Sequence, residues 1–340
     1  MKPRVSIVVP VHNAADCMDR AIESCLSQKR VAVELILVVN GSSDRSQEIA
    51  EEYAKEDERV KVIVMGEKGV SMARNRGMEA ADGDYIGFVD ADDYIENDMY
   101  SVLCEAIGQE TDVVSICEYY IGGNGGKRGV TDELFSIGDR KDSIRKAMLG
   151  ALYENEPQIM GSVWRFLIPM DVIRVNKIRF DEQLSIGEDM FFLLEILDRI
   201  ERVRIVNKPL YHYVKSDCSV SNQFGNETWK EYMPFFERIL SLPLGEDEKK
   251  RIENKVIALS SWLLQETLQT KKKYEIKKRE FKERLGQMET VLQKDRLAED
   301  SFYYDAMNDK FLHTYIRYGL WNIGKRQIKN FCAWMHKKGD

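Results

Sequence analysis

The six cysteines of the 340-residue sequence (Cys17, Cys25, Cys104, Cys117, Cys218 and Cys332) are scattered, and no CxxC pair occurs among them. That spacing argues against a zinc site and against a disulfide framework, so reduced thiols are expected. No apolar run is long enough to span a bilayer. The seven-residue run Val5–Val11 behind Met1–Arg4 is too short for a signal peptide's apolar core and cleavage site. A cytoplasmic protein is expected, attached at most to a membrane surface. Low-complexity tracts are missing, and a formal net charge of −7 argues against general nucleic-acid binding. Neither GxGxxG after the first apolar run nor GxxxxGK[ST] anywhere is present, which sets aside a dinucleotide fingerprint and a P-loop.

What is present is concentrated in Tyr85–Asp93, read as YIGFVDADD. Tyr85, Ile86, Phe88 and Val89 suit a buried strand. Asp90, Asp92 and Asp93 follow where such a strand would leave its sheet. Carboxylates this close repel one another, and a cation between them relieves the repulsion. Oxygen-only ligands point to a hard ion, Mg²⁺ or Mn²⁺. The competing explanation is an acidic turn with Asp93 capping the next helix.

The preceding chain alternates between the two periods. Val5–Pro10, Val33–Val39, Val60–Met65 and Tyr85–Val89 read as strands. Ala15–Gln28, a segment running through Ala54 behind Ser43 or Asp44, and Ser71–Ala81 read as helices. Short connections with right-handed crossovers predict a doubly wound α/β domain with a parallel sheet. Ligands of such sheets bind outside the carboxyl ends of the strands. Four segments lie at that edge: Pro10, Val11, His12 and Asn13; Asn40–Asp44; Gly66–Val70; and Asp90–Asp93.

SIVVPVHN at 6–13, ILVVNGSSDRS at 36–46, GVSMARNRGMEAADGDYIGFVDADD at 69–93 and IGEDMFF at 186–192 resemble the family 2 glycosyltransferases of the GT-A fold. The resemblance covers about the first two-thirds of the chain, and several motifs in order are far more specific than any one. It implies transfer of a sugar from a nucleotide-diphosphate donor, a UDP-sugar by choice, to an acceptor hydroxyl with inversion. It places His12 against the nucleobase, Asn40 where an aspartate commonly accepts the uracil N–H, and Arg74 of the ARN pattern near the diphosphate. For Arg74 a structural salt bridge under the sheet is the alternative. Asp90 and Asp92 match the DxD pair, with Asp93 a further candidate metal ligand. Val39 and Asn40 depart from the family's aspartates. Asp189 is implied as the catalytic base with Glu188 beside it, against the alternative of a plain acidic helix start. The implied setting is bacterial surface-polysaccharide assembly on a glycan or lipid-linked saccharide.

Beyond Asp93, Asp98–Gly108 and Asp142–Tyr153 read as helices, Asp112–Tyr120 and Val203–Val206 as strands, and Ile121–Gly129 as a glycine-rich hairpin tip. His212, between Tyr211 and Tyr213, is expected as a packed residue rather than a ligand. Ser219-Val220-Ser221 resembles the family's serine-bearing loop. Two domains are expected: a catalytic one over 1–222, with a nucleotide-sugar half to about 95 and an acceptor half after it, and an all-helical region over 223–340. Residues 310–340 carry seven Lys/Arg against Asp340, a net of +6, which leaves −13 for the rest. With Trp321, Phe331 and Trp334, the stretch 310–338 suits a helix on an anionic membrane surface, or one packed on the protein with solvated lysines. Two rivals stand beside the transferase. A sugar-nucleotide pyrophosphorylase would carry a glycine-rich basic loop after the first strand, and Pro10–Asn13 is not one. A non-catalytic sugar-nucleotide-binding or scaffold protein of the same fold would be expected to have lost the carboxylates.

Overall fold

In the computed structural model the described residues are 2–110, 112–122, 128–130, 141–150, 159, 161–214, 228–269 and 274–292. The chain divides into two compact units, Met1–Phe224 and Gly225–Asp340. Residues 123–127 of the glycine-rich tip expected at Ile121–Gly129, the Ser219–Ser221 loop and the basic stretch 310–338 lie outside the described residues.

Among the described residues the first unit contains a mixed nine-stranded sheet. Strands β1 (Arg4–Val11), β2 (Ala32–Asn40), β3 (Val60–Met65) and β4 (Tyr85–Phe88) run parallel in the order β3-β2-β1-β4. Helices α1 (Met18–Leu26), α2 (Ser46–Glu56) and α3 (Val70–Ala80) connect them. Elements expected from the apolar runs are found here with ends shifted by three residues at most. The reason for their legibility is burial on both faces: Val5, Ile7, Val8, Val9 and Val11 of β1 are all fully covered.

Past β4 the sheet ceases to be parallel. The strands are β5 (Tyr94–Ile95), β6 (Val113–Gly122), β7 (Arg128–Val130), β8 (Phe166–Pro169) and β9 (Arg202–Val214). β8 runs antiparallel to both β4 and β6, β9 runs parallel to β6, and β5 pairs antiparallel with β9. The two-residue β5 starts one residue after Asp93, so it ties the acidic turn to β9 through Tyr94↔His212 and Ile95↔Tyr211.

β9 is much longer than the short strand expected at Val203–Val206. It continues past Pro209 because the ladder with β6 is irregular there, and the missing N–H of proline is tolerated at such a bulge. Cys117 pairs with Val206 but Tyr119 with Tyr211, so a two-residue step on β6 matches a five-residue step on β9. The difference is odd, and an odd slip exchanges the faces of a strand. Tyr211 thereby shares a face with Tyr119.

The second unit contains the helices Thr228–Leu240, Glu246–Gln269 and Tyr274–Val291, which pack on one another. Phe236, Ile239, Ile252, Val256, Leu264, Phe281 and Met288 are buried in it. Their spacing follows the helical period, which is why this region was legible as helix.

Candidate active site

Strand β4 delivers the acidic turn at the carboxyl edge of the sheet. Val89 N–H donates to Val8 O at 3.1 Å, and Asp93 N–H closes the turn onto Asp90 O at 3.1 Å. The carboxylates then go different ways. Asp90 keeps 30% of its side chain exposed. Asp93 is fully buried; Tyr211 Oη donates to one of its oxygens and Val214 N–H to the other, both at 2.7 Å. Burial, then the charges of Asp90 and Asp92, push the Asp93 carboxyl up to about 8 against those two donors. Asp93 is also not the N-cap of α4 (Met99–Ile107), which starts after Asp98.

Arg74 on α3 joins this turn to a distant segment. Its guanidinium is 4% exposed and meets Asp90 at 3.2 Å, Glu188 at 3.0 Å and Asp189 at 2.6 Å. Burial opposes its charge, but Asp189, Asp90 and Glu188 together hold it firmly protonated. Glu188 and Asp189 open the helix Glu188–Arg199, whose entry needs Gly187 at φ 78°, a left-handed conformation that costs glycine little. The second oxygen of Asp189 accepts Val163 N–H at 3.1 Å. Burial raises Asp189 to about 7, with Arg74 opposing and Glu188 and Asp90 reinforcing the rise. A carboxylate poised there can accept a proton near neutral pH. Arg74 is therefore a buried ion-pair centre within the acidic edge, the salt-bridge alternative of the two.

The corner formed by β1 and β2 is stapled. Asn40 is 2% exposed; its Nδ2 donates to Val11 O at 3.0 Å and its Oδ1 accepts Gly69 N–H at 3.1 Å. The oxygen expected to read an imide N–H is thus already engaged with the loop ahead of α3. Asn13, at φ 49°, accepts Ser43 N–H at 2.8 Å, so its amide also joins two loops. Val11 is fully buried, while Pro10 and His12 are half-buried. His12 Nδ1 lies 2.8 Å from Asn40 O, which makes Nδ1 the protonated nitrogen.

Three carboxyl groups converge on the one guanidinium of Arg74. Among the described residues no group of three His, Cys, Asp or Glu side chains is placed to hold a metal ion. Mg²⁺ characteristically takes one or two protein carboxylates and completes its shell with substrate phosphates and water. Asp90 and Asp92 fit that partial role. Asp93, expected as a third ligand, is instead fully buried, with Tyr211 and Val214 each bonding one of its oxygens inside the fold.

Residues 6–167 match the family described as "Glycosyl transferase family 2". The chain is 36% identical over 223 residues to "Uncharacterized glycosyltransferase EpsJ" of Bacillus subtilis (strain 168), covering 65% of this chain and 64% of that one. It is 32% identical over 237 residues to "Putative glycosyltransferase EpsH" of the same strain, covering 69% of this chain and 67% of EpsH. The chain belongs to glycosyl transferase family 2. It thus spans just under two thirds of the length of EpsJ. A crystal structure of S. aureus TarS 1–349 in complex with UDP-GlcNAc superposes with a TM-score of 0.65 at 20% identity, covering 92% of this chain and 89% of that one. That likeness establishes the GT-A fold of this family 2 member.

Several groups packed around the acidic turn carry little signal of that role in the sequence. Tyr211 Oη donates to Asp93 and also accepts Asp90 N–H at 3.1 Å. Trp164, in the one-turn helix Val163–Arg165, stacks on Tyr211 with ring centroids 4.1 Å apart. Arg20 of α1 donates to Asp92 O at 2.8 Å and lies over the Tyr94 ring. The triplet Tyr211-His212-Tyr213 is the one local signal the sequence offers for them. His212 is packed between Tyr94 and Tyr120, with Nε2 2.8 Å from Glu96.

Proposed function

We propose that the protein is an inverting glycosyltransferase that moves a sugar from a UDP-sugar to a hydroxyl of a glycan or lipid-linked saccharide in bacterial surface-polysaccharide assembly. The observation that carries this reading is the convergence of Asp90 and Asp189 on Arg74, at 3.2 Å and 2.6 Å. It brings the end of β4, where a donor's diphosphate would lie, beside a carboxylate able to take a proton. Family membership and the fold shared with a UDP-GlcNAc complex support the donor class.

Asp189 accepts the proton of the acceptor hydroxyl as that oxygen attacks the anomeric carbon opposite the leaving diphosphate. Each carboxylate oxygen offers two lone pairs, so the bonds from Arg74 and Val163 orient Asp189 without exhausting it. Glu188 shares Arg74 and is the second candidate base. Mg²⁺ or Mn²⁺, held by Asp90 and Asp92 together with the diphosphate, would neutralise the charge that builds on the leaving group. Arg74 keeps the acidic edge from repelling itself apart before donor arrives. The basic stretch 310–338 is proposed as a peripheral membrane contact near the acceptor.

The test is a panel of nucleotide sugars scored by released nucleoside diphosphate, with the product's anomeric configuration read by NMR. Turnover of a UDP-sugar with Mn²⁺, its loss with chelator and an inverted product are expected. A retained configuration, or GDP competing clearly better than UDP, overturns the mechanism or the donor respectively.

A further inference from the structure

A buried hydroxyl reaches both ends of the acidic turn from inside the protein. Tyr211 Oη accepts the N–H of Asp90 at 3.1 Å and donates to the carboxylate of Asp93 at 2.7 Å, so one oxygen spans both ends of the turn. Val214 N–H, three residues further along β9, takes the other Asp93 oxygen at 2.7 Å. The ring of Tyr211 is fully buried and stacked on Trp164 at 4.1 Å and 18°. Trp164 also meets Tyr119 edge-on at 5.0 Å. The residue before Trp164 is Val163, whose N–H holds Asp189. One aromatic stack therefore stands between the two halves of the catalytic edge.

These contacts divide the labour within Asp90–Asp93. Asp93 faces into the fold and anchors the turn, which leaves Asp90 and Asp92 at its open side. Neighbouring carboxylates free to rotate, Asp90 and Asp92 among them, would spread apart by mutual repulsion. A turn pinned at both ends cannot.

Resting on the cation reading given above, we infer that Tyr211 is a positioning residue for the divalent cation: braced by Trp164, its hydroxyl fixes the acidic turn through Asp93 and Asp90 N–H so that Asp90 and Asp92 can share a cation with the donor diphosphate. The groups behind metal ligands commonly cost ~10–100-fold in metal affinity when removed. An effect of that class is expected here.

The experiment measures UDP binding to the full chain by calorimetry, with Mn²⁺ and with EDTA, and takes the ratio of the two affinities as the cation's contribution. Tyr211→Phe keeps the ring and its stacking but removes the hydroxyl. Asp93→Asn keeps the size of the anchor but replaces an acceptor with a donor. Each should lower the ratio ~10-fold or more while the affinity in EDTA stays within about twofold of wild type. The double variant should cost little more than either single one, because both break the same bond. A Tyr211→Phe protein with an unchanged ratio, beside an Asp93→Asn protein without one, overturns the inference and makes Asp93 a direct ligand. An equal fall of both affinities in Tyr211→Phe also overturns it, since that marks general loosening. If Asp93→Asn does not fold, Tyr211→Phe decides alone. A wild type with no Mn²⁺ effect sinks the cation reading itself, and the inference with it.

Discussion

Arg74 Nη1 lies 2.6 Å from Asp189 Oδ1, across 115 positions of sequence. The bond is charge-assisted and nearly excluded from water, which makes it one of the stronger polar contacts available to a protein. It sets the terms for the first two predictions.

Asp189→Asn should lower transfer by ~10²–10⁴ while leaving nucleotide affinity near wild type, since the amide keeps the shape but cannot take a proton. In the wild type, kcat/KM should rise with pH and level off above about 7, where burial places the Asp189 carboxyl. The sign follows from the role: a base must be deprotonated, so activity is lost as pH falls through that value. A pH profile and titration of nucleotide binding check both points. Turnover within a few-fold of wild type would transfer the role to Glu188.

Arg74→Ala leaves Asp90, Glu188 and Asp189 without their shared cation and should destabilise the fold by about 3–5 kcal/mol. Arg74→Lys keeps the charge but has no planar fork to reach both the turn and the helix start. It should fold and still lose ~10-fold or more in kcat/KM through misplacement of Asp189. Denaturant unfolding and steady-state rates separate the two effects.

Glu34 stands at the opposite edge of the sheet, 5% exposed, where Lys61 meets it at 2.6 Å and Arg4 at 3.2 Å. Burial alone would raise its pKa, but Lys61, Ser6 and the N–H of Asp82 outweigh burial and hold it below the ordinary value. A depressed carboxylate contributes stability that is present above its unfolded pKa of about 4.3 and lost as pH falls through the folded one. Glu34→Gln should therefore cost about 1–2 kcal/mol at pH 7. The gap from wild type should narrow in acid. Thermal unfolding across pH 3–7 of both proteins reads this directly; a gap that stays constant would remove Glu34 from the account.

Liposome co-sedimentation tests the stretch 310–338. Each basic residue near an anionic surface is worth about 1 kcal/mol, and this stretch carries seven. Full-length protein should pellet with anionic vesicles and not with neutral ones, and a chain ending at about Asp309 with neither. Equal, poor sedimentation of both lengths would return the stretch to the fold or to a protein partner. Among the described residues no helix is long and apolar enough to cross a membrane.

The sequence by itself determined the four parallel strands and their helices, the acidic turn at the end of β4, and the acidic start of the helix at Glu188. Each of these is written in a local pattern: an uninterrupted apolar run buried on both faces, a helical period, or a motif whose residues are neighbours in the chain. What only the tertiary structure decided is where side chains point once distant segments meet. Asp93 turned inward because Tyr211 was waiting for it, and Tyr211 was there because β9 slips by an odd number of residues against β6. Asn40 became a staple because the Gly69 loop folded over it. The role of Arg74 depended on Glu188 and Asp189, more than a hundred residues away. Periodicity records how deeply a residue is buried; it carries no information about a bulge's parity or the partner of a polar group, since those are set by pairings that form only when the sheet closes.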